Sequence, residues 1–102
     1  MFELVAIYRT PKNPDAFNHY CFSRHVPGAK TVPGLRRYQT NDGPIGAPLQ
    51  PGSAHLIAEL DFDSLEAVQA AFASPQGRAA VADIANFADG GHEFLVFKVK
   101  EV

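Results

Sequence analysis

The stretch "AHLIAELDFDSLEAVQAAFASPQGRAAVADIANFADGGHEFLVFKV", residues 54–99, decides the fold. Its first nine residues alternate: Leu56, Ala58, Leu60 and Phe62 take one side, His55, Ile57, Glu59 and Asp61 the other, as in a half-buried strand. The period changes at Asp63. Asp63 with Glu66 three residues on reads as a capping-box start, and residues 64–73 follow as a helix. Ser74 and Pro75 then open a second helical segment over 75–87, since serine caps and proline suits a first helical position. Gly90 and Gly91 close it, and residues 92–99 read as another strand.

Upstream, a strand and helix precede this unit. Residues 2–9 alternate, with Phe2, Leu4, Ala6 and Tyr8 on one face and Glu3, Val5, Ile7 and Arg9 on the other. Asn13, Pro14 and Asp15 form a helix start. Phe17, Tyr20 and Cys21 fall on one helical stripe, and the helix runs to about Arg24. Pro27 disfavours helical geometry at Val26, so the helix is expected to end near His25. After Pro33-Gly34 a second strand places Leu35, Arg37 and Gln39 opposite Arg36, Tyr38 and Thr40. Residues 42–53 are rich in glycine and proline and read as a loop, plain or acting as a lid; their spacing matches no phosphate loop. The order β-α-β-β-α-β is the ferredoxin-like α+β arrangement, a four-stranded antiparallel sheet with helices on one face.

That arrangement leaves a packing problem. Helices cover one sheet face, while Val5, Ile7, Ile57 and one register of residues 94–97 remain on the other. An apolar patch of this kind marks an interface, so a homodimer with two sheets face to face is expected. His55, Glu59 and Arg9 would lie at that interface or its rim, with Glu59 pairing Arg9 or Arg37.

Composition narrows the function classes. The 102 residues suit a single domain spanning 1–102, with 46% hydrophobic and 20% charged residues. A formal net charge of -2 argues against a nucleic-acid binder, which needs a basic stripe. No run is long enough for a membrane span, and "MFELVAIYRT" has no basic region or cleavage site of a signal peptide. Cys21 is the one cysteine, so no internal disulfide forms. The expected location is the cytoplasm.

Four histidines are the first candidates for chemistry. None forms an i,i+4 pair, and no metal-ligand motif is present, so no metal site is expected. His25 lies roughly 80° around a regular helix from Phe17. By position it is either a helix-end cation stabilised by the dipole or an acid–base group at a pocket mouth. Asp83 shares a stripe with Ala80, Ile84 and Phe87. A carboxylate among core residues must either have a raised pKa or be paired, with a backbone amide, an arginine, or His25. Tyr8 and Tyr20 are apolar bodies with polar tips that could bind a ligand carbonyl. Cys21 has no activator and reads as packing.

The run "CFSRHVPGAKTVPGLRRYQT" resembles the EthD-like family, named for ethyl tert-butyl ether degradation. The carrying residues are Phe22, His25, Pro27, Val32, Pro33, Gly34 and Leu35, with Glu59, Phe62, Asp83 and Phe87 further along. The resemblance implies a dimeric α/β barrel and a link to catabolic oxidation. A related lactone methylisomerase uses a histidine matching His25 together with a cysteine whose place is Leu60 here. The pocket histidine of related cyclases aligns with Leu56. Gly28 stands where leucine is usual, and Cys21 where an aromatic is common.

The combined expectation is a small dimeric protein of catabolic and oxidative metabolism. It would bind a small apolar organic molecule between sheet and helices, with no cofactor. His25 and Asp83 would be catalytic, and Tyr8, Phe17, Tyr20, Leu56, Ile84 and Phe87 would line the ligand site. Three outcomes stay open: a cofactor-free oxidoreductase, an isomerase or cyclase using His25 as acid–base group, or a non-catalytic accessory of a partner oxidoreductase.

Overall fold

The computed structural model describes residues 1–46 and 54–102; the greater part of the proposed 42–53 loop lies outside them. Four strands, β1 (Phe2–Arg9), β2 (Arg37–Thr40), β3 (Ala54–Phe62) and β4 (His92–Lys98), form one sheet in the order β2-β3-β1-β4. Every neighbouring pair is antiparallel. The helices are α1 (Pro14–Tyr20), α2 (Val26–Ala29), α3 (Leu65–Ala73) and α4 (Pro75–Asp83). The ferredoxin-like α+β reading is therefore correct.

The helix starts follow local chemistry. The Asn13 side chain accepts from the Ala16 amide at 3.1 Å. Ser74 ends α3 and caps α4 at once, its Oγ accepting from the Gly77 amide at 3.0 Å. The cap of α3 is Ser64 rather than Asp63. Asp63 is occupied by the Arg36 guanidinium, 2.7 Å away, so the neighbouring hydroxyl caps instead. The second strand also starts later than expected, at Arg37 rather than Leu35.

The largest departure is in the first helical run. It does not stop near His25. Cys21–His25 widens into a π-helical turn and α2 continues through Ala29, with Val26 itself helical at φ -59, ψ -47. The Val26 amide reaches back to the Cys21 carbonyl. Proline normally breaks a helix by lacking an N–H and striking a preceding carbonyl. Here the wide turn shifts the ladder, and Pro27 falls in the opening turn of α2, where no N–H is required. Looser winding also carries His25 round toward the face that bears Phe17 and Cys21, and all three are buried.

The helix-covered sheet face carries Leu4, Ala6, Tyr8, Leu56, Ala58, Leu60 and Phe62, packed on Phe17, Cys21, Val68, Ala71, Ile84 and Phe87. Each large apolar side chain fully buried there contributes roughly 1.5–3 kcal/mol. The register assigns Val5 to Leu95 and Glu3 to Phe97, so Leu95 and Phe97 share the open face with Val5, Ile7 and Ile57. Leu95 is 46% and Phe97 44% exposed.

Two expectations about that face fail. Arg9 binds Glu93 at 2.6 Å and Arg37 binds Asp61 at 3.0 Å, leaving Glu59 to face Glu3. Partial burial, then the hydrogen bond and charge of Glu59, push the Glu3 carboxyl above its ordinary range. His55 does not stay on the open face either. The register slips between Tyr8 and Arg9, opposite it, and its Nε2 meets Asn18 Oδ1 of α1 at 2.7 Å. Bulges re-aim side chains in this way.

Candidate active site

Beneath the helices, against the covered sheet face, lies a cavity of about 60 Å³. At about 10–15 Å³ per water-sized group, it holds a head group of roughly four to six such units. Its walls are largely apolar: Leu60, Ala71, Phe72, Ala80 and Ile84 among them. Three polar side chains reach it, Tyr8 from β1, Tyr38 from β2 and His25 from the π turn.

His25 is 5% exposed, and its Nδ1 lies 3.0 Å from Asp83 Oδ2. The other carboxylate oxygen accepts from Tyr20 Oη at 2.6 Å and from Asn86 Nδ2 at 2.9 Å. Asn86 belongs to a short 3-10 turn, Ile84–Asn86, that prolongs α4. The Phe87 ring packs on His25 at 4.8 Å and stacks on Tyr20 at 5.5 Å.

These contacts set the protonation pattern. Partial burial works to raise the Asp83 carboxyl, but hydrogen bonds from Tyr20, Asn86 and His25 together hold it below its ordinary value. It is therefore a carboxylate and can only accept. Burial pulls His25 below its ordinary 6.5, although the hydrogen bond and charge of Asp83 work against that. The ring is neutral near pH 7. Its proton sits on Nδ1, facing the carboxylate, and Nε2 carries a free lone pair. Among the described residues no side chain hydrogen-bonds that nitrogen. Burial raises the phenols of Tyr8 and Tyr38 well above the usual tyrosine range, so both keep their protons. The Cys21 thiol, fully buried, is pushed up to about 12 and is inert.

The sequence-named residues divide three ways. His25, Tyr8 and Ile84 line the cavity. Asp83, Tyr20 and Phe87 stand behind the histidine, holding its ring. Phe17 and Leu56 belong to the core and do not line this cavity. Sequence reasoning missed Tyr38 and Asn86. The latter had a signal, since it stands three residues after Asp83 on a helical path. Among the described residues no group of three or more potential ligands could hold a metal ion. Among the described residues no helix is long and apolar enough to cross a membrane.

A ferredoxin-like sheet with a buried histidine–carboxylate pair beside an apolar cavity defines the class: a small α+β protein with one buried imidazole in the wall of that cavity. The EthD domain family matches residues 9–91, and the chain belongs to that family. A curated relative, an uncharacterized 11.0 kDa protein in the thcB-thcC intergenic region of Rhodococcus erythropolis, is 39% identical, over 93% of this chain and 91% of its own length. The crystal structure of an ethyl tert-butyl ether degradation (EthD) family protein from Bacillus halodurans superposes with a TM-score of 0.90. It is 27% identical, with 98% of this chain and 99% of that chain covered. A more distant structure shares the fold alone: SnoaB, a cofactor-independent oxygenase from Streptomyces nogalater, has a TM-score of 0.70 and 15% identity, covering 99% and 94% of the two chains.

Proposed function

We propose that the protein binds a small, mainly apolar carbonyl or phenolic compound in the cavity and that His25 Nε2 takes a proton from it. The observation that carries this reading is the buried, neutral His25 whose Nδ1 is pinned by ionised Asp83. A base held in one tautomer, with its lone pair on the other nitrogen, is the arrangement general-base catalysis requires.

In this reading a C–H or O–H bond of the ligand breaks, the proton goes to Nε2, and the electron pair stays on the ligand as an enolate or phenolate. Tyr8 and Tyr38, both protonated, donate hydrogen bonds to the new oxyanion. Asp83 balances the imidazolium. Return of the proton to another carbon completes an isomerisation, and attack of the carbanion on a second carbonyl completes a cyclisation. With dioxygen as oxidant, one-electron transfer from the carbanion, joining of the resulting radical and superoxide in a new C–O bond, protonation to the hydroperoxide and loss of water to leave a carbonyl complete an oxygenation. Membership of the EthD family and the fold shared with a cofactor-independent oxygenase favour the oxidative outcome, in keeping with a role in small-molecule catabolism in the cytoplasm. The working form is a homodimer joined through the open sheet face, as its exposed Leu95 and Phe97 favour.

The test follows the His25 ring signals by NMR against pH, in the wild type and Asp83→Asn, and deuterium uptake into aryl ketones and phenols in D2O. A His25 midpoint below 6.5 that moves in Asp83→Asn, with uptake above background, supports the reading. An ordinary midpoint indifferent to Asp83, without uptake, overturns it. Ligand binding without uptake leaves a binding protein.

A further inference from the structure

Two glycines lie inside helices, for different reasons. In α4 a Cβ on Gly77 would stand 1.9 Å from the Ala71 carbonyl oxygen, so close packing of α4 on α3 excludes any side chain. In α2 a Cβ on Gly28 would meet nothing within 4 Å, and Gly28 is not among the glycines with positive φ. Neither packing nor backbone conformation requires it, although a helical glycine is less stable than alanine. A side chain there would project into open space.

That space is a groove of about 520 Å³ between the first helical run and α4, where Gly28 faces Ala79 and Ala80, with Arg24 and Thr31 also on its walls. His25 and Ala80 line both this groove and the inner cavity, and Asp83 borders the groove. The two spaces therefore lie on either side of His25 and Ala80. The inner cavity, at about 60 Å³, holds only a head the size of one ring, whereas the groove, at about 520 Å³, is far the roomier of the two.

We propose that Gly28 is a specificity-determining residue: it keeps the groove open so that the ligand is an elongated molecule, with a single-ring polar head against His25 and an apolar tail lying across Gly28 and out between the helices. This rests on the cavity reading above. Leucine at this position keeps the helix, since it is a good helix former with free space around it, and fills the groove.

The experiment compares phenol, which occupies the cavity alone, with para-hexylphenol, which adds a tail. Binding is measured by calorimetry and by shifts of the His25 ring signals, in the wild type, Gly28→Ala and Gly28→Leu, each checked by near-UV circular dichroism. The wild type should bind para-hexylphenol at least about tenfold more tightly than phenol, from burial of the added methylenes. Gly28→Leu should remove that advantage, Gly28→Ala should reduce it partly, and phenol should bind all three alike. Phenol binding in every protein, with a tail preference indifferent to Gly28 or absent, overturns the groove assignment and leaves the cavity reading standing. Failure of both probes to shift His25 in the wild type overturns the cavity reading and this inference with it.

Discussion

The two faces of the sheet are made by the same strands, residue by alternate residue, and meet opposite fates. On one, Leu4, Ala6, Leu60 and Phe62 are closed over by helices, and polar groups enter only as partnered side chains, with His25 bonded to Asp83 and Asp83 to Tyr20 and Asn86. On the other, Val5, Ile7, Ile57, Leu95 and Phe97 form an apolar strip beside Glu3, Glu59 and the Arg37–Asp61 pair, and no helix among the described residues covers it. The covered face holds its cavity and its histidine–carboxylate pair within one chain. In the proposed homodimer the open face is finished by a second copy. Chemistry is thus expected to reside on the first face and assembly on the second, and substitutions on each should leave the other alone.

The largest effect is expected on the covered face. His25→Gln keeps the size and a hydrogen-bonding group but loses the base. Deuterium uptake into a bound ketone should fall about 10²- to 10⁴-fold, the usual contribution of a general base, while oligomeric state stays unchanged in sedimentation equilibrium. An unchanged uptake rate would sink the assignment of chemistry to this face. The next effect belongs to the open face. Phe97→Asp places an unpaired carboxylate in the strip, on the edge strand beside Glu3, and the homodimer should weaken about a hundredfold or more. The circular dichroism spectrum and the His25 titration should not move. A wild type that sediments as a monomer at micromolar concentration would remove the reason for the comparison.

A smaller effect concerns stability and pH. Asp83→Ala strands the buried His25 N–H, which should cost about 1–3 kcal/mol in urea denaturation. The pH dependence has a definite sign. Both His25 and Asp83 have folded pKa values below their ordinary ones. Each contributes stability that is fully present above the unfolded pKa and lost as pH falls through the folded one. The wild type should therefore lose stability from about pH 6.5 downward as the histidine is forced to charge, and again in the carboxylate range. His25→Gln should flatten the first of these losses. A wild type whose stability rises on acidification through that window would show that the buried ring is charged rather than neutral.

Much of this was legible in the chain. Strict alternation in β1 and β3 sorted Phe2 to Tyr8 and Leu56 to Phe62 onto their faces, because a period of two admits only one choice once one face is apolar. Ser74-Pro75 announced the break between α3 and α4, since both residues act through local backbone chemistry. The errors came where tertiary context won. Pro27 was expected to end a helix, and a π turn carries the helix past it. The same turn moves His25 from the edge of the apolar stripe into the core, which no regular period could show. The contact of His25 with Asp83 joins residues far apart in sequence, so the residue types suggested the pair and only the fold could supply the distance. Tyr38 went unnoticed because β2 is short, and nothing local says that its ring reaches the cavity.

The smallest predicted effect asks which face owns His55. By alternation His55 belongs with Ile57 and Glu59 on the open face, yet the bulge brings its Nε2 to Asn18 and its ring edge-on to Phe17 at 4.8 Å. An aromatic pair of this kind is worth about 0.5–1.5 kcal/mol beyond buried area. Glutamine keeps a hydrogen-bonding partner for Asn18 and loses the ring. His55→Gln should therefore cost under about 1 kcal/mol in stability, with dimer affinity and deuterium uptake both unchanged. If dimer affinity falls instead, the ring serves the open face in the assembled protein, and the bulge is a joint between the two faces. If uptake falls as far as in His25→Gln, the protein has two working histidines, and the line drawn between a reactive site at His25 and a packed core around Phe17 has to be redrawn through α1.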